Sequence, residues 1–242
     1  MVSLKNKVAV VTGASSGIGK AIALSLAEHG ATLCLIGRKL NTLSSVEKSA
    51  GVITSQVKHY QIDLTIDYDI QKLKTSLQRD YGHTDILIHS AGDFSMGMIE
   101  HALIEDLDRQ YRINVRAPYL LTQALLPMIK ARKGQIVFIN SSAGLKARAK
   151  VGQYAATKHA LKAIADSLRE EVNADGVRVL SVFPGRTATP MQAAVHEMEG
   201  RDYKPERFMQ PEDVAAVVIH ALAMPRSAEI TDINIRPLTK FE

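Results

Sequence analysis

A glycine-rich turn between an apolar run and an amphipathic stretch constrains the fold of this chain more than any other feature. Residues 7–12 form a short apolar run, and residues 17–29 repeat their apolar positions with the period of a helix. The turn that joins them reads Thr12-Gly-Ala-Ser-Ser-Gly-Ile-Gly19. Glycine permits a sharp turn and close approach of a pyrophosphate, and a helix N-terminus offers free N–H groups. Gly13, Gly17 and Gly19 therefore predict a strand–turn–helix unit that binds a nucleotide phosphate.

Short apolar runs alternate with longer helical stretches along the rest of the chain. Six further runs predict strands at 31–36, 56–62, 85–89, 135–139, 177–183 and near 229–235, and helices are expected at 66–81, 104–130, 153–173 and 211–224. Strands that are apolar on both faces and alternate with helices indicate a parallel sheet covered on both sides. The predicted fold is α/β: one doubly wound domain over residues 1–242, with about seven strands and helices on both faces.

The segment 187–210 is the least regular part of the chain. It is interpreted as a lid over a pocket, rather than as an ordinary surface loop. This architecture binds ligands outside the carboxyl ends of its strands, where such a loop would lie.

Composition limits the partners that the protein can have. Thirty basic and 25 acidic residues give a net charge of +5, which permits anionic partners without requiring them. No apolar run approaches the ~18 residues of a membrane span, and the first one is too short for a secretory signal, so we expect a cytoplasmic protein without a membrane partner. The absence of tryptophan and the low aromatic content disfavour nucleic-acid binding by base stacking. The single cysteine and the histidine spacing predict neither a disulfide nor a metal site.

The end of the second predicted strand bears on the choice of nucleotide. Dinucleotide-binding folds carry an acidic residue about 20 positions beyond the glycines to hold the adenosine ribose. Here that place holds Gly37-Arg38-Lys39, and a guanidinium can offer several donors to a 2′-phosphate. Arg38 and Lys39 thus favour NADP(H) over NAD(H), although a solvated basic pair would look the same. Asp63-Leu64 ends the third strand, where a carboxylate can accept the adenine amino group.

A tyrosine and a lysine four residues apart are the candidate acid–base pair. Tyr154 and Lys158 share one face of a predicted helix. A phenol has a pKa of about 10, and a nearby ammonium stabilises the phenolate and lowers that value. Ser141 lies just past the fifth strand, where its hydroxyl can hydrogen-bond a substrate carbonyl. Asn114 lies within the preceding long helix, where its amide can bind an ordered water.

In this order and spacing, the motifs resemble those of the short-chain dehydrogenase/reductase family over nearly the full length of the chain. The motifs that carry the resemblance are Thr12 to Gly19, Asp63-Leu64, Asp85-Ile-Leu-Ile with Ala91-Gly92, Asn114, Ser141, Tyr154-Ala-Ala-Thr-Lys158 and Pro184-Gly185. The resemblance implies a Rossmann-like domain, hydride transfer between NAD(P)H and a small carbonyl or alcohol substrate, and a homodimer or homotetramer.

By motif position, the resemblance implies a role for each site residue. Tyr154 would be the general acid/base, Ser141 would orient the carbonyl, Lys158 would bind the nicotinamide ribose and lower the tyrosine pKa, and Asn114 would hold a relay water. Ser141 lies at the separation from Tyr154 that is usual in the family, whereas Ser142 does not. The implied cofactor-lining residues, besides Tyr154, Lys158, Arg38 and Lys39, are Gly13, Ser15, Ser16, Gly17, Ile18, Gly19, Asp63, Leu64, Ala91, Gly92, Pro184, Gly185, Thr187 and Thr189.

Several alternatives stay open from the sequence. The chain could be a non-catalytic NADP(H)-binding sensor or scaffold, although a mere binder needs no proton relay. The basic residues Lys146, Arg148 and Lys150 fit either a solvated loop or a clamp for an anionic substrate. His89 stands where the family commonly has asparagine and is interpreted as a core residue. A hydrolase nucleophile elbow at Ser15 is disfavoured because no earlier strand exists to supply its oxyanion hole.

Overall fold

Seven parallel strands form the sheet at the centre of the molecule. The computed structural model describes residues 3–54 and 56–239. The strands are β1 (Val8–Thr12), β2 (Thr32–Gly37), β3 (Val57–Gln61), β4 (Ile86–His89), β5 (Gln135–Ile139), β6 (Arg178–Pro184) and β7 (Asp232–Ile235), in the order β3-β2-β1-β4-β5-β6-β7. Every neighbouring pair is parallel. This arrangement confirms the predicted doubly wound α/β fold and its strand count.

Eight α-helices connect the strands within the described residues. They are α1 (Gly17–Glu28), α2 (Leu40–Gly51), α3 (Asp67–Asp80), α4 (Ile104–Tyr111), α5 (Ala117–Lys130), α6 (Gly152–Val172), α7 (Pro190–Glu199) and α8 (Pro211–Leu222). Helices α2 and α7 are absent from the sequence prediction. Among the described residues, none of these helices combines the length and the apolar character needed to cross a membrane.

The five central strands of the sheet bury side chains on both faces, which explains why they read as apolar runs, whereas the edge strands β3 and β7 are partly exposed. Along β1, Val11 packs with Leu26 of α1 and Val218 of α8 in one cluster. Its neighbour Val10 points to the other face and packs in a second cluster, among helices α3, α5 and α6. Successive strand side chains alternate between faces, so a sheet covered on both sides needs apolar residues at every position.

The strand order reverses between β1 and β4. The chain runs outward from β1 through β2 to β3, and then returns to place β4 on the other side of β1. Connections on opposite faces diverge at such a switch point and leave a crevice outside the carboxyl ends of the strands. The segments after β1 and β4, which carry the predicted cofactor-lining residues, therefore meet at this crevice.

A buried aspartate ties the opposite ends of three strands together. The Asp85 carboxylate accepts hydrogen bonds from the Val8 N–H at 3.0 Å, the Lys7 ammonium at 3.0 Å and the Arg132 Nε at 3.2 Å. Its backbone N–H donates to the Val8 carbonyl, and its own carbonyl accepts from the Gln135 N–H. Burial raises the pKa of Asp85, but the Val8 and Lys7 hydrogen bonds outweigh it and hold the carboxyl below its usual range.

Replacing this carboxylate is expected to destabilise the fold. We expect Asp85→Asn to lower the free energy of unfolding by about 3 kcal/mol, because two cations and a buried N–H lose their partner. The control is Asp175→Asn, which breaks an exposed pair with Lys130 and should change stability by less than about 1 kcal/mol. Urea unfolding of both variants measures the difference, and equal small losses would contradict this role for Asp85.

Candidate active site

The glycine turn packs directly against the segment that follows β4. Gly13 has a φ of +64°, and a Cβ there would lie 2.8 Å from the Ala91 backbone nitrogen, so a side chain has neither the conformation nor the space. The Thr12 hydroxyl accepts hydrogen bonds from the Ser90 N–H at 3.0 Å and the Ala91 N–H at 3.1 Å. It donates its own proton to the Ile88 carbonyl at 3.2 Å. The two predicted cofactor segments are thereby held as one surface.

The first turn of α1 keeps donors available beside this surface. Ser16, the residue before the helix, is exposed and makes no side-chain hydrogen bond to the helix N–H groups. Gly17 also has positive φ, and a Cβ there would lie 3.0 Å from the Thr189 methyl group. Thr189, predicted from the far end of the sequence to contact the cofactor, therefore lies against the glycine turn.

Arg38 and Asp63 lie near each other past the ends of β2 and β3. The Asp63 carboxylate accepts hydrogen bonds from the Thr65 N–H at 2.9 Å and the Thr65 hydroxyl at 2.7 Å. Burial raises the pKa of Asp63, but these bonds and the charge of Arg38 outweigh it, so the carboxyl stays ionised well below neutral pH. Arg38 and Lys39 are exposed, and Leu64 is buried. The predicted adenosine-side residues thus fall at one edge of the crevice.

Tyr154, Ser141 and Lys158 come together at the start of α6. The Tyr154 and Ser141 side chains lie close together, and the Ser141 hydroxyl favours the phenolate form of Tyr154. The Lys158 ammonium lies 5.8 Å from the Tyr154 ring centroid and donates to the Ile139 carbonyl at 3.1 Å. The Ser141 oxygen accepts from the Ala143 N–H at 3.1 Å, which fixes its position beside Tyr154. The predicted triad is therefore one contiguous cluster.

Burial dominates the electrostatics of this cluster. Desolvation raises the pKa of Tyr154 to about 12, although the Ser141 hydroxyl opposes the shift. Desolvation also lowers the pKa of Lys158 to about 8, because the apolar surroundings disfavour its charged form. The ammonium was expected to lower the tyrosine pKa, but burial sets the direction of the shift and the pKa of Tyr154 is raised.

Asn114 lies in a π-helical turn that the sequence does not predict. Residues 112–116 form this turn between α4 and α5, where the sequence predicts one continuous helix over 104–130. The Asn114 amide accepts from the Asp93 N–H and donates to the Asp93 carbonyl, both at 2.8 Å, and it contacts the Thr157 hydroxyl at 3.1 Å. A Cβ on Gly92 would lie 3.2 Å from the same amide oxygen. Asn114 therefore holds the segment after β4 directly, and its predicted bound water stays a prediction.

Two residues near Tyr154 were missed by the sequence analysis. The Phe94 ring packs edge-on against the Tyr154 ring, with centroids 4.9 Å apart. Arg109 donates to the carboxylate of Asp93 and to the Ser95 hydroxyl, both at 2.6 Å, and so fixes the backbone on either side of Phe94. No local motif marks either residue, and only Phe94, two residues after Gly92, could have drawn attention by its position.

The segment after β6 begins at the crevice and returns to it. The Gly185 N–H donates to the Ile235 carbonyl, and the Thr187 hydroxyl donates to the Gly185 carbonyl at 3.1 Å. Thr187 and Met209 then form an isolated parallel bridge that joins the two ends of the segment 187–210. The prediction of an irregular loop is wrong in one respect, because the segment contains the ten-residue helix α7. Thr189 caps that helix by accepting from the Gln192 N–H, and Gly200 ends it with φ of +64°.

His89 is a core residue, as the sequence analysis inferred. Its ring stacks on Phe138 with centroids 4.8 Å apart, and its Nε2 lies 2.8 Å from the Thr122 hydroxyl. Burial lowers the pKa of His89 to about 3, so the ring is neutral at physiological pH. The side chains of Lys146, Arg148 and Lys150 are exposed.

The comparisons with known proteins agree with this geometry. The family model described as short chain dehydrogenase matches residues 7–200. An uncharacterized oxidoreductase of Staphylococcus epidermidis is 33% identical over 239 residues, which cover 98% of this chain and 100% of that protein. The chain therefore belongs to the short-chain dehydrogenase family of oxidoreductases.

Solved structures show the same fold. A short-chain dehydrogenase from Shigella flexneri in complex with NADP has a TM-score of 0.88 and 30% identity, covering 96% of this chain and 97% of that one. L-sorbose reductase from Gluconobacter frateurii, in complex with NADPH and L-sorbose, has a TM-score of 0.86 and 25% identity, with 97% and 96% of the two chains covered.

The buried lysine gives a stability prediction. The folded pKa of Lys158 is about 8 and its usual value is 10.5, so between these pH values the unfolded chain binds more protons than the folded one. Stability conferred by this position therefore rises with pH across that window, by roughly 3 kcal/mol. We expect the unfolding free energy of wild type minus that of Lys158→Met to increase accordingly from pH 8 to pH 10.5. Lys74→Met, at an exposed position on α3, should show a flat difference, and a flat Lys158→Met difference would contradict the assignment.

Proposed function

We propose that this protein is an NADP(H)-dependent oxidoreductase that interconverts a small-molecule carbonyl and a secondary alcohol, with Tyr154 as general acid/base. The observation that carries the proposal is the clustering of the Tyr154 and Ser141 side chains beside the Lys158 ammonium, at the carboxyl edge of the sheet. A phenol, a neutral hydroxyl donor and a buried amine within one cluster serve proton transfer to or from an oxygen atom. A binding module has no need of them.

The residues present fit a dinucleotide phosphate chain at the glycine turn. The positive φ angles of Gly13 and Gly17 and the uncapped first turn of α1 expose backbone donors to an anion. Arg38 supplies a positive charge at the adenosine end, where a 2′-phosphate distinguishes NADP(H) from NAD(H). The residues proposed to hold the remainder are Ser15, Ser16, Ile18, Gly19, Lys39, Asp63, Leu64, Ala91, Gly92, Tyr154, Lys158, Pro184, Gly185, Thr187 and Thr189.

When bound, the reduced nucleotide supplies the hydride, and the chain's own residues manage the proton and the substrate oxygen. Ser141, whose oxygen is held in place by the Ala143 N–H, is positioned to donate its hydroxyl proton to a carbonyl oxygen that binds beside Tyr154. A tyrosine with a pKa of about 12 stays protonated at neutral pH, so it is ready to protonate the oxygen of a carbonyl under reduction. The charged form of Lys158 favours the phenolate that results, and Asn114 keeps the segment 92–95 in place beside it.

We also propose a homodimer or homotetramer. Ile104, Tyr111 and Tyr119 leave half or more of their surfaces exposed along α4 and α5. Exposed apolar side chains of this size on neighbouring turns favour burial against another surface.

Removing the tyrosine hydroxyl separates the proposed enzyme from a nucleotide-binding sensor. We expect Tyr154→Phe to lower kcat for NADPH-dependent carbonyl reduction at least about 100-fold, because no other phenol replaces the proton donor. The dissociation constant for NADPH should change little, and Tyr68→Phe, at an exposed position on α3, should behave as wild type. NADPH absorbance is followed with a panel of ketoses, ketones, aldehydes and quinones. NADPH binding without turnover of any panel member, with the wild type and Tyr154→Phe indistinguishable, would favour the sensor.

Arg38 should set the choice of nucleotide. We expect Arg38→Ala to weaken NADPH binding about tenfold or more while leaving NADH binding unchanged, because only NADPH carries the 2′-phosphate. Lys74→Ala provides a control of equal charge change far from the glycine turn. Fluorescence titration of both nucleotides gives the two dissociation constants. A parallel loss for NADPH and NADH would show that Arg38 does not read the phosphate.

A further inference from the structure

A second concave region lies against the segment 187–210. It encloses about 400 Å³ and is lined by Arg186, His196, Arg201, Asp202, Lys204, Arg207 and Phe208. This volume lies within the usual range of small-molecule sites. None of the lining residues belongs to the Tyr154 cluster or to the proposed cofactor site. We call this region the lid cavity.

Positive charge exceeds negative charge around the lid cavity. Four of its lining residues are basic, and Asp202 is the one carboxylate among them. Glu199 contributes a second carboxylate just behind the wall, where Arg186 donates to both of its oxygens at 3.0 and 3.1 Å and Arg201 Nη1 lies 3.9 Å from one of them. Within the part of the chain that the structure describes, Lys204 forms no ion pair. The excess of positive charge in a concave site favours an anionic ligand.

The wall behind the basic groups is fixed by hydrogen bonds and ring packing. His196 is only 3% exposed, and its Nδ1 lies 2.9 Å from the Gln192 carbonyl oxygen and 3.1 Å from the Gln192 side-chain nitrogen. Its Nε2 lies 3.4 Å from Arg186 Nη1. The His196 ring also packs against Phe208 and Tyr203, with centroids 5.1 and 5.5 Å apart. The Arg186 guanidinium is thereby oriented before any ligand arrives, which lowers the entropy lost on binding.

We propose that the lid cavity binds a small organic anion that carries at least two carboxylate or phosphate groups. The guanidinium groups of Arg186 and Arg201 and the ammonium of Lys204 would hold the anionic groups, and the aromatic wall would contact the carbon skeleton. The anionic groups can belong to the molecule that reacts at Tyr154 or to a separate ligand, and the same contacts serve both. The site is distinct from the glycine turn, where a nucleotide phosphate is expected.

Calorimetric titration of citrate and of inorganic pyrophosphate, at constant ionic strength, tests the proposal. The test variant is Arg201→Gln/Lys204→Gln, and its control is Lys72→Gln/Lys74→Gln, which removes the same charge from exposed positions on α3. We expect at least one anion to bind the wild type and the control equally, and the test variant at least about tenfold more weakly. Failure of both anions to bind, or equal binding by all three proteins, would overturn the proposal.

A gain-of-affinity variant guards against misfolding as the cause of lost binding. Asp202→Asn removes the lining carboxylate, so it should tighten anion binding about threefold by relieving repulsion. Unfolding cannot produce such a gain, and an unchanged or weaker affinity would argue against the cavity as the site.

Steady-state kinetics then distinguishes anionic groups carried by the substrate from those of a separate ligand. A keto acid and its uncharged ester are compared as substrates of the test variant and the control. A rise in KM for the keto acid alone supports substrate-borne groups, whereas unchanged KM values with lost citrate binding support a separate ligand. Because the calorimetry needs no turnover, it still decides the proposal if the protein proves not to be an NADPH-dependent reductase.

Discussion

The contact between the glycine turn and the segment after β4 is the constraint on which the rest of the site depends. The Thr12 hydroxyl bonds to three backbone groups of β4 and its continuation, and Gly13 leaves no space for a side chain against Ala91. That contact fixes where Gly92 and Asp93 lie, and Asn114 reaches them from the π-helical turn. Through Thr157, which contacts both Asn114 and the Tyr154 carbonyl, the same chain of contacts extends to α6. The proposed nucleotide side and the proposed proton-transfer side of the crevice are therefore parts of one framework.

The central strands were predictable because burial on both faces requires an apolar run, whereas the partly exposed edge strands β3 and β7 follow a weaker pattern. Helix α2 was not, since its Asn, Ser, Thr and Lys positions look like a polar loop and only Leu43, Val46 and Ala50 are buried. Helix α7 was missed for a different reason. Its cap signals, Thr189-Pro190 and Gly200, were legible in the sequence, but His196 is its one buried residue, so the segment was interpreted as a loop.

The candidate site, too, was predictable from the sequence only in part. Motif spacing brought Ser141, Tyr154 and Lys158 together correctly, because residues on one helix face and at one strand end are placed by local geometry. The pKa shift of Tyr154 was misjudged, since burial depends on everything that packs around the ring, including Phe94 and the segment after β4. The π-helical turn at Asn114 was also beyond reach, because one extra residue in a helical turn leaves no pattern that a single sequence reveals.

The bridge between Thr187 and Met209 has an evolutionary consequence. Because Thr187 and Met209 pair with each other, the excursion containing α7 begins and ends at adjacent points, so its length and content can vary while the entry and exit geometry stays constant. A foreign excursion could replace it between these two residues without rearranging the strands beneath. Under the proposed function, chemical selectivity would then be an exchangeable module, separable from the proposed proton-transfer cluster.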